Sequence, residues 1–286
     1  MKILLAIVHY WNPTGNGRHQ SLRPNPGPRV KALQEQILSL KRLGSQQYQM
    51  HMGEMGIYRT NDAYRHDIDL CVITDGEHTV FDHLDPDFRA CFEEVVTQPE
   101  SGLFLGFEAH DYLGKIHEEA GSKYDLYGYI EDDLIFDDPI FFLKIKWFQE
   151  MFEGDNVLLP QRIEWSPRPN IVDQLFIDGP LSKNDISLLP YGFEPPVKVK
   201  VPGGDVVFET PENPHAGCFF LNSKQLSYWK KQSYWLERDS SFISPLESDA
   251  TLGLMKTFKL RKPAFDFGSW LQLRHWGTSF LNLVQQ

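Results

Sequence analysis

Residues 3–8, Ile-Leu-Leu-Ala-Ile-Val, form an unbroken apolar run with Lys2 before it and His9-Tyr10 after it. A strand without a polar face must be covered on both sides, which usually means a parallel sheet between layers of helix. Residues 69–74, which end at Asp75-Gly76, and residues 126–130, which end at Glu131-Asp132-Asp133, have the same character. Between these runs the apolar period changes to that of a helix. Val30, Leu33, Ile37 and Leu40 share one face of a segment that opens on Pro28 and carries Lys41-Arg42 in its last turn before Gly44. Further helices are expected over 104–119, closed by Gly121, and over 139–152, capped by Asp138 and stopped by Gly154. This alternation predicts an α/β domain with a mostly parallel central sheet and helices on both faces, its ligands held beyond the carboxyl ends of the strands.

Residues 155–214 are broken by Pro160, Pro167, Pro169, Gly179-Pro180, Pro195-Pro196 and Gly203-Gly204, which predicts an irregular insert of loops with a few antiparallel strands. Beyond it a strand at 218–221, a Ser223-capped helix through Trp235 and a helix opening on Pro245 restore regularity. With 286 residues, no internal repeat and no linker-like stretch, one domain spanning 1–286 is expected.

Counting 28 Lys and Arg against 39 Asp and Glu gives 28 − 39 = −11, a charge that opposes nonspecific attraction to nucleic acid or an anionic membrane. Cys71, Cys91 and Cys218 are too few and too scattered for a disulfide framework or a Cys-x-x-Cys zinc site, which fits a reducing compartment. The apolar start is too short for a signal peptide, and no stretch approaches the ~20 apolar residues of a transmembrane helix. A soluble, cytoplasmic protein is expected, with peripheral membrane contact through an aromatic surface left open.

Residues 131–138 hold five carboxylates, Glu131, Asp132, Asp133, Asp137 and Asp138, just past a buried strand. Carboxylates packed this densely repel one another, and such a cluster is tolerated chiefly where a hard divalent cation shares its charge. Oxygen ligands select Mg²⁺ or Mn²⁺ over zinc. Asp138 precedes Pro139 and reads as a helix cap rather than a ligand, while Asp137 is open to either role. Glu131 and Asp133 lie on one side of the chain, as alternate residues do, and are the candidate metal ligands.

The strand with Tyr127-x-Tyr129-x-Glu131-Asp132-Asp133 and the apolar pair behind it resembles the DXD-type acidic motif of GT-A-fold glycosyltransferases. Three later features agree in order. Pro214-His215-Ala216-Gly217-Cys218 resembles the family's glycine-containing turn beside the donor sugar. Ser244-Pro245-Leu246-Glu247-Ser248-Asp249 resembles the acidic helix start that supplies the base in inverting members. His275 resembles the C-terminal histidine that completes the metal site. The resemblance implies a Rossmann-like GT-A domain with a nucleotide-sugar-binding half, 1–138, and an acceptor-binding half, 139–286. It further implies a Mn²⁺ or Mg²⁺ cofactor held by Glu131, Asp133 and His275, and a UDP-sugar donor by default. Donor contacts are then expected from His9, Tyr10, Arg29, Asp75, Glu131, Asp132 and Gly217, with Asp249 and Glu247 as catalytic candidates and Asp249 preferred as the base.

Read as residues alone, several of these keep a second role. Ser244-x-x-Glu247 is a capping box with Pro245 at the first helical position, which gives Glu247 a structural use. Asp249 fits a base and an ordinary first-turn carboxylate equally. His275 fits both a ligand and a hydrogen-bonded histidine among Trp270, Trp276 and Phe280. Tyr228, Trp229, Tyr234 and Trp235 read as core. The leading function is a metal-dependent glycosyltransferase. A nucleotidyltransferase needs a glycine-rich basic loop after the first strand, which Gly15, Gly17 and Arg18 supply only in part. The third possibility is a noncatalytic carbohydrate-binding protein.

Overall fold

The computed structural model describes residues 1–15, 20–120, 123–152, 154–167, 172–181 and 194–284. Gly17, Arg18, Gly121 and Pro169 lie outside the described residues. In chain order the elements begin with β1 (Lys2–Val8), α1 (Gly27–Gly44), the hairpin strands β2 (Gln47–His51) and β3 (Gly56–Thr60), and β4 (Asp67–Thr74). Next come α2 (Pro86–Arg89), β5 (Glu93–Val96), α3 (Leu105–Ala120), β6 (Leu126–Glu131), β7 (Leu134–Ile135) and α4 (Phe141–Met151). Short strands follow: β8 (Asn156–Leu158), β9 (Gln161–Trp165), β10 (Gln174–Phe176), β11 (Val197–Val201), β12 (Gly204–Glu209) and β13 (Cys218–Leu221). The last elements are α5 (Ser223–Lys230), α6 (Pro245–Thr257), β14 (Lys259–Pro263), β15 (Gln272–His275) and α7 (Leu281–Val284).

The three apolar runs become β1, β4 and β6 of a Rossmann-like central sheet of order β13–β6–β1–β4–β5. Pairings β6–β1, β1–β4 and β4–β5 are parallel, and only β13 runs antiparallel, against β6. The step from β1 through α1 to β4 and the step through α3 back to β6 go opposite ways along the sheet. Right-handed crossovers therefore put α1 and α3 on opposite faces, which is why β1 needs no polar side. Ile3, Leu5, Ala6 and Ile7 are all fully buried, each large aliphatic contributing about 1.5–3 kcal/mol. Gly128 lets the sheet close. A Cβ there would come within 2.6 Å of Leu5 Cδ2 and 2.8 Å of Phe220 Cδ1.

Helix ends differ from expectation where side chains compete for them. Asp138 caps the turn ahead of α4, accepting the Ile140 N–H at 2.9 Å and the Lys144 ammonium at 2.6 Å, so the helix starts at Phe141. The cap of α5 is Asn222 rather than Ser223, because Asn222 and Gln225 satisfy each other's backbone in a reciprocal capping box. That helix stops at Lys230, and the chain turns back to set Trp235 edge-on against Trp229 at 4.9 Å.

The larger departure is in residues 155–214, which do more than form loops and antiparallel strands. Strand β8 runs parallel to β14, in a sheet of order β11–β12–β14–β8. Strand β9 runs parallel to β15 within a mixed sheet of order β10–β9–β15–β7. Because β7 begins two residues after Asp132, this second sheet starts where the central sheet ends. No helix among the described residues is long and apolar enough to cross a membrane.

Candidate active site

The carboxyl edge of the central sheet places His9 after β1, Asp75 after β4, Glu131 at the end of β6 and Asp132-Asp133 just beyond it. Pairing of β15 with β7 (His275↔Leu134) and with β9 (Leu273↔Arg162) then brings His275, Arg162 and Glu164 to the same corner. The Trp276 N–H donates to the Asp133 carbonyl at 2.8 Å and locks that register. A cavity of about 950 Å³ opens at the opposite edge, lined by Tyr124, Lys146, Asn222 and Tyr228, but it contains none of these groups. Convergent charge, rather than cavity size, marks the site here.

Asp132 is expected above to contact the donor, and the structure turns it inward. Its carboxylate is buried, pairs with Arg29 and takes a 2.5 Å hydrogen bond from His9 Nδ1. His9 Nε2 accepts the Val80 N–H at 3.1 Å, so the imidazole is neutral with its proton on Nδ1. Burial first, and then the Arg29 charge, push its pKa down to about 3. His9 is fully buried, its ring held between Asp132 and the Val80 N–H. Arg29 likewise spans Asp132 and Asp133, at 3.1 Å from Asp133 Oδ2, and offsets the charge of both.

Asp133 and His275 face each other, with His275 Nε2 3.6 Å from Asp133 Oδ2. Asp133 Oδ1 is buried with no hydrogen-bond partner. The other nitrogen of His275 is taken by Glu164, 3.0 Å away, and Glu164 also accepts Ser279 Oγ–H and the Leu281 N–H. Burial opposes charge on both sides of the pair. Even so, the carboxylates of Asp133 and Glu164 lift the His275 pKa, while His275 and Arg29 hold Asp133 below the usual carboxylate range. Among the described residues no three His, Cys, Asp or Glu side chains converge as a ready-made metal cage.

Glu131, the other candidate ligand, is already engaged. Arg162 Nη1 lies 3.1 Å from it and His215 Nε2 3.5 Å. Burial pushes its pKa up to about 7 against the pull of Arg162, and the charge of Asp133 adds to the rise. Arg162 is in turn held by a bidentate pairing with Asp178 (2.7 and 3.0 Å), which also meets Lys262. Gly217 has φ +60°, and a Cβ there would run into the Glu131 carboxylate and stand 3.1 Å from Arg162 Nη1, so only glycine fits this turn. Cys218 beside it is buried and its thiol is pushed up, which makes it a packing residue rather than a nucleophile.

The acidic start of α6 separates into an outward and an inward carboxylate. Glu247 is half-buried and accepts the Ser244 hydroxyl, whose oxygen caps Leu246 N–H, so the expected reciprocal capping box is not closed. Asp249 is 1% exposed, accepts Tyr129 O–H at 3.0 Å and leaves Oδ2 without a partner. Burial, then the Glu131 charge, raise its pKa well above the carboxylate range. Asp249 thus lies under Tyr129 with its carboxyl closed off, whereas Glu247 is only half-buried. Across the cleft, Asp75 accepts the N–H groups of Glu77 and His78 and pairs with His78 Nδ1 at 2.7 Å. The His78 ring lies 5.0 Å from that of Tyr10.

Arg162, Glu164, Asp178 and Lys262 were not identifiable as site residues in the sequence. The available signal was charge inside a strand, since all of Gln161, Arg162, Ile163 and Glu164 are buried. The sequence matches no family model and no curated protein. Among solved structures the chain is similar to S. aureus TarS (TM-score 0.43, 11% identity, covering 97% of this chain and 37% of that one). It is also similar to the 1-349 form of S. aureus TarS (TM-score 0.42, 11% identity, 92% and 58%). A third similar structure is CMP:2-keto-3-deoxy-manno-octonic acid synthetase complexed with CTP (TM-score 0.38, 10% identity, 100% and 97%). The chain thus spans little more than a third of the full TarS structure, and similarity at this level describes the path of the backbone, not the chemistry.

Proposed function

We propose that this chain is a glycosyltransferase that moves a sugar from a nucleoside-diphosphate sugar, by default a UDP-sugar, to an acceptor hydroxyl with inversion at the anomeric carbon. The carrying observation is the unpartnered, buried Oδ1 of Asp133 beside an imidazole whose far nitrogen is already oriented by Glu164. This donor set suits Mg²⁺ or Mn²⁺, which Asp133 and His275 would hold. When bound, the ion supplies positive charge to the departing diphosphate.

The rest is done by the chain. Glu131, braced by Arg162, positions the donor against the open side of Gly217 instead of serving as a third ligand. Glu247, at the mouth of the site, accepts the acceptor's proton as the new bond forms. Tyr10 and His78, with Asp75 behind them, offer a ring surface for the nucleobase. The test is product analysis with UDP-, GDP- and CDP-sugars, with and without Mn²⁺. Metal-dependent release of the nucleoside diphosphate with an inverted product supports the proposal. Pyrophosphate release from a nucleoside triphosphate and a sugar phosphate would make the chain a nucleotidyltransferase, and sugar binding without turnover would make it a noncatalytic binding protein.

A further inference from the structure

The hairpin β2–β3 forms a sheet of its own, and among the described residues neither outer edge has a strand partner. Every residue of β2 is exposed. Tyr48, Met50, Met52, Met55, Ile57 and Tyr58 are each between 50% and 73% exposed. Such a patch is the usual mark of an interaction surface, and an isolated two-stranded hairpin is marginal in water without cover. It is nonetheless well built: Tyr58 donates to Glu54, His51 lies edge-on to Tyr58 at 5.8 Å, and Gln46 ties the base to Asp62 at 2.9 Å. The hairpin is ordered for presentation and left uncovered.

We propose that β2 pairs with β2 of a second copy of this chain, forming a four-stranded sheet across a two-fold axis; this does not depend on the transferase assignment. Three observations select a second copy. Strand β2, Gln-Tyr-Gln-Met-His, carries no Lys, Arg, Asp or Glu, so self-pairing brings no like charges together in a chain of net charge −11. Antiparallel pairing centred on Gln49 sets Tyr48 against Met50 of the second copy, a favourable sulfur–aromatic contact, twice by symmetry. The register Met50↔Ile57 and Tyr48↔Arg59 sets Tyr48, Met50 and Ile57 on one face of the hairpin, so pairing β2 with β2 joins two apolar half-faces into one. The other edge is guarded. Strand β3 has Arg59 in it and Glu54 before it, charges that block further strand addition and stop the pairing at two. A membrane surface is disfavoured, because the hairpin has no Trp and a single Arg or Lys.

Sedimentation velocity of the full chain across a dilution series tests this. A monomer–dimer equilibrium is expected, and Tyr48→Lys with Met50→Lys should raise the dissociation constant roughly a hundredfold or more by opposing like charges across the pair. Gln49→Cys should form a disulfide-linked dimer on mild oxidation, while the parent chain and Arg59→Cys should not. A protein monomeric at every concentration, or a dimer indifferent to the lysine pair, overturns the proposal. So does a monomer that co-sediments with phosphatidylcholine–phosphatidylserine vesicles, which would assign the patch to lipid. All substituted residues are exposed, and unchanged circular dichroism establishes that each variant is folded.

Discussion

Replacing Glu247 by glutamine is expected to lower turnover by about two to four orders of magnitude with little change in melting temperature, because a half-buried proton acceptor is lost and no core contact with it. Asp249→Asn should leave turnover within a few-fold of the parent, and steady-state kinetics on the two variants distinguish the roles. Stability adds an independent check. The folded pKa of Asp249 lies above its unfolded value, so its contribution is complete below about pH 4 and is lost as pH rises through the raised value. Asparagine cannot ionise, so the melting temperature of the variant should fall less steeply from acid to neutral pH. Parallel curves would mean that Asp249 is charged in the native state. At the corner proposed to hold the ion, Glu164→Gln is expected to weaken Mn²⁺ dependence about 10–100-fold without removing Asp133 or His275, measured by titrating activity with the ion.

Strand β9 is the element on which the site depends most. Arg162→Met would leave Asp178, buried in the same layer, facing Lys262 alone at 3.5 Å, and a broken buried pair costs about 3–5 kcal/mol. Equilibrium denaturation should register that loss, and a change near zero would mean that water already screens the group. The elements that sequence could reveal were those with a period of their own. Strands β1, β4 and β6 are continuous apolar runs, and α1 has an apolar stripe between a proline and a glycine. The acidic turn after β6 was legible for the same reason, since it follows a recognisable strand. Strands β7 and β15 have two and four residues, too short to show a period, and β9 reads as polar because its buried Arg162 and Glu164 find their partners, Asp178, Glu131 and His275, in other elements. Their partners lie far along the chain, and no local pattern reports a pairing such as His275 with Leu134. Asp249 is a different case: its sequence position reads as the first turn of α6, where the structure has Glu247 as the acidic residue, and the helix's rotation, which sets Asp249 under Tyr129, is decided by packing.

For the molecule as a whole, a net charge of −11 means that an anionic donor of the proposed kind would meet repulsion unless a cation stood between. UDP or GDP should therefore raise the melting temperature by several degrees in Mn²⁺ and by little in EDTA, followed by differential scanning fluorimetry. An equal rise in both would remove the ion from the binding step. The corner where the two sheets meet also sets the order in which the protein acquires its chemistry. His275 reaches Glu164 across 111 positions, and Arg274 reaches back to Glu35 on α1 across 239. During synthesis the acidic turn therefore leaves the ribosome long before the histidine that completes its corner. A nascent chain can build most of the central sheet before that corner exists, so if the proposed transfer is right, activity should come only once β15 has docked.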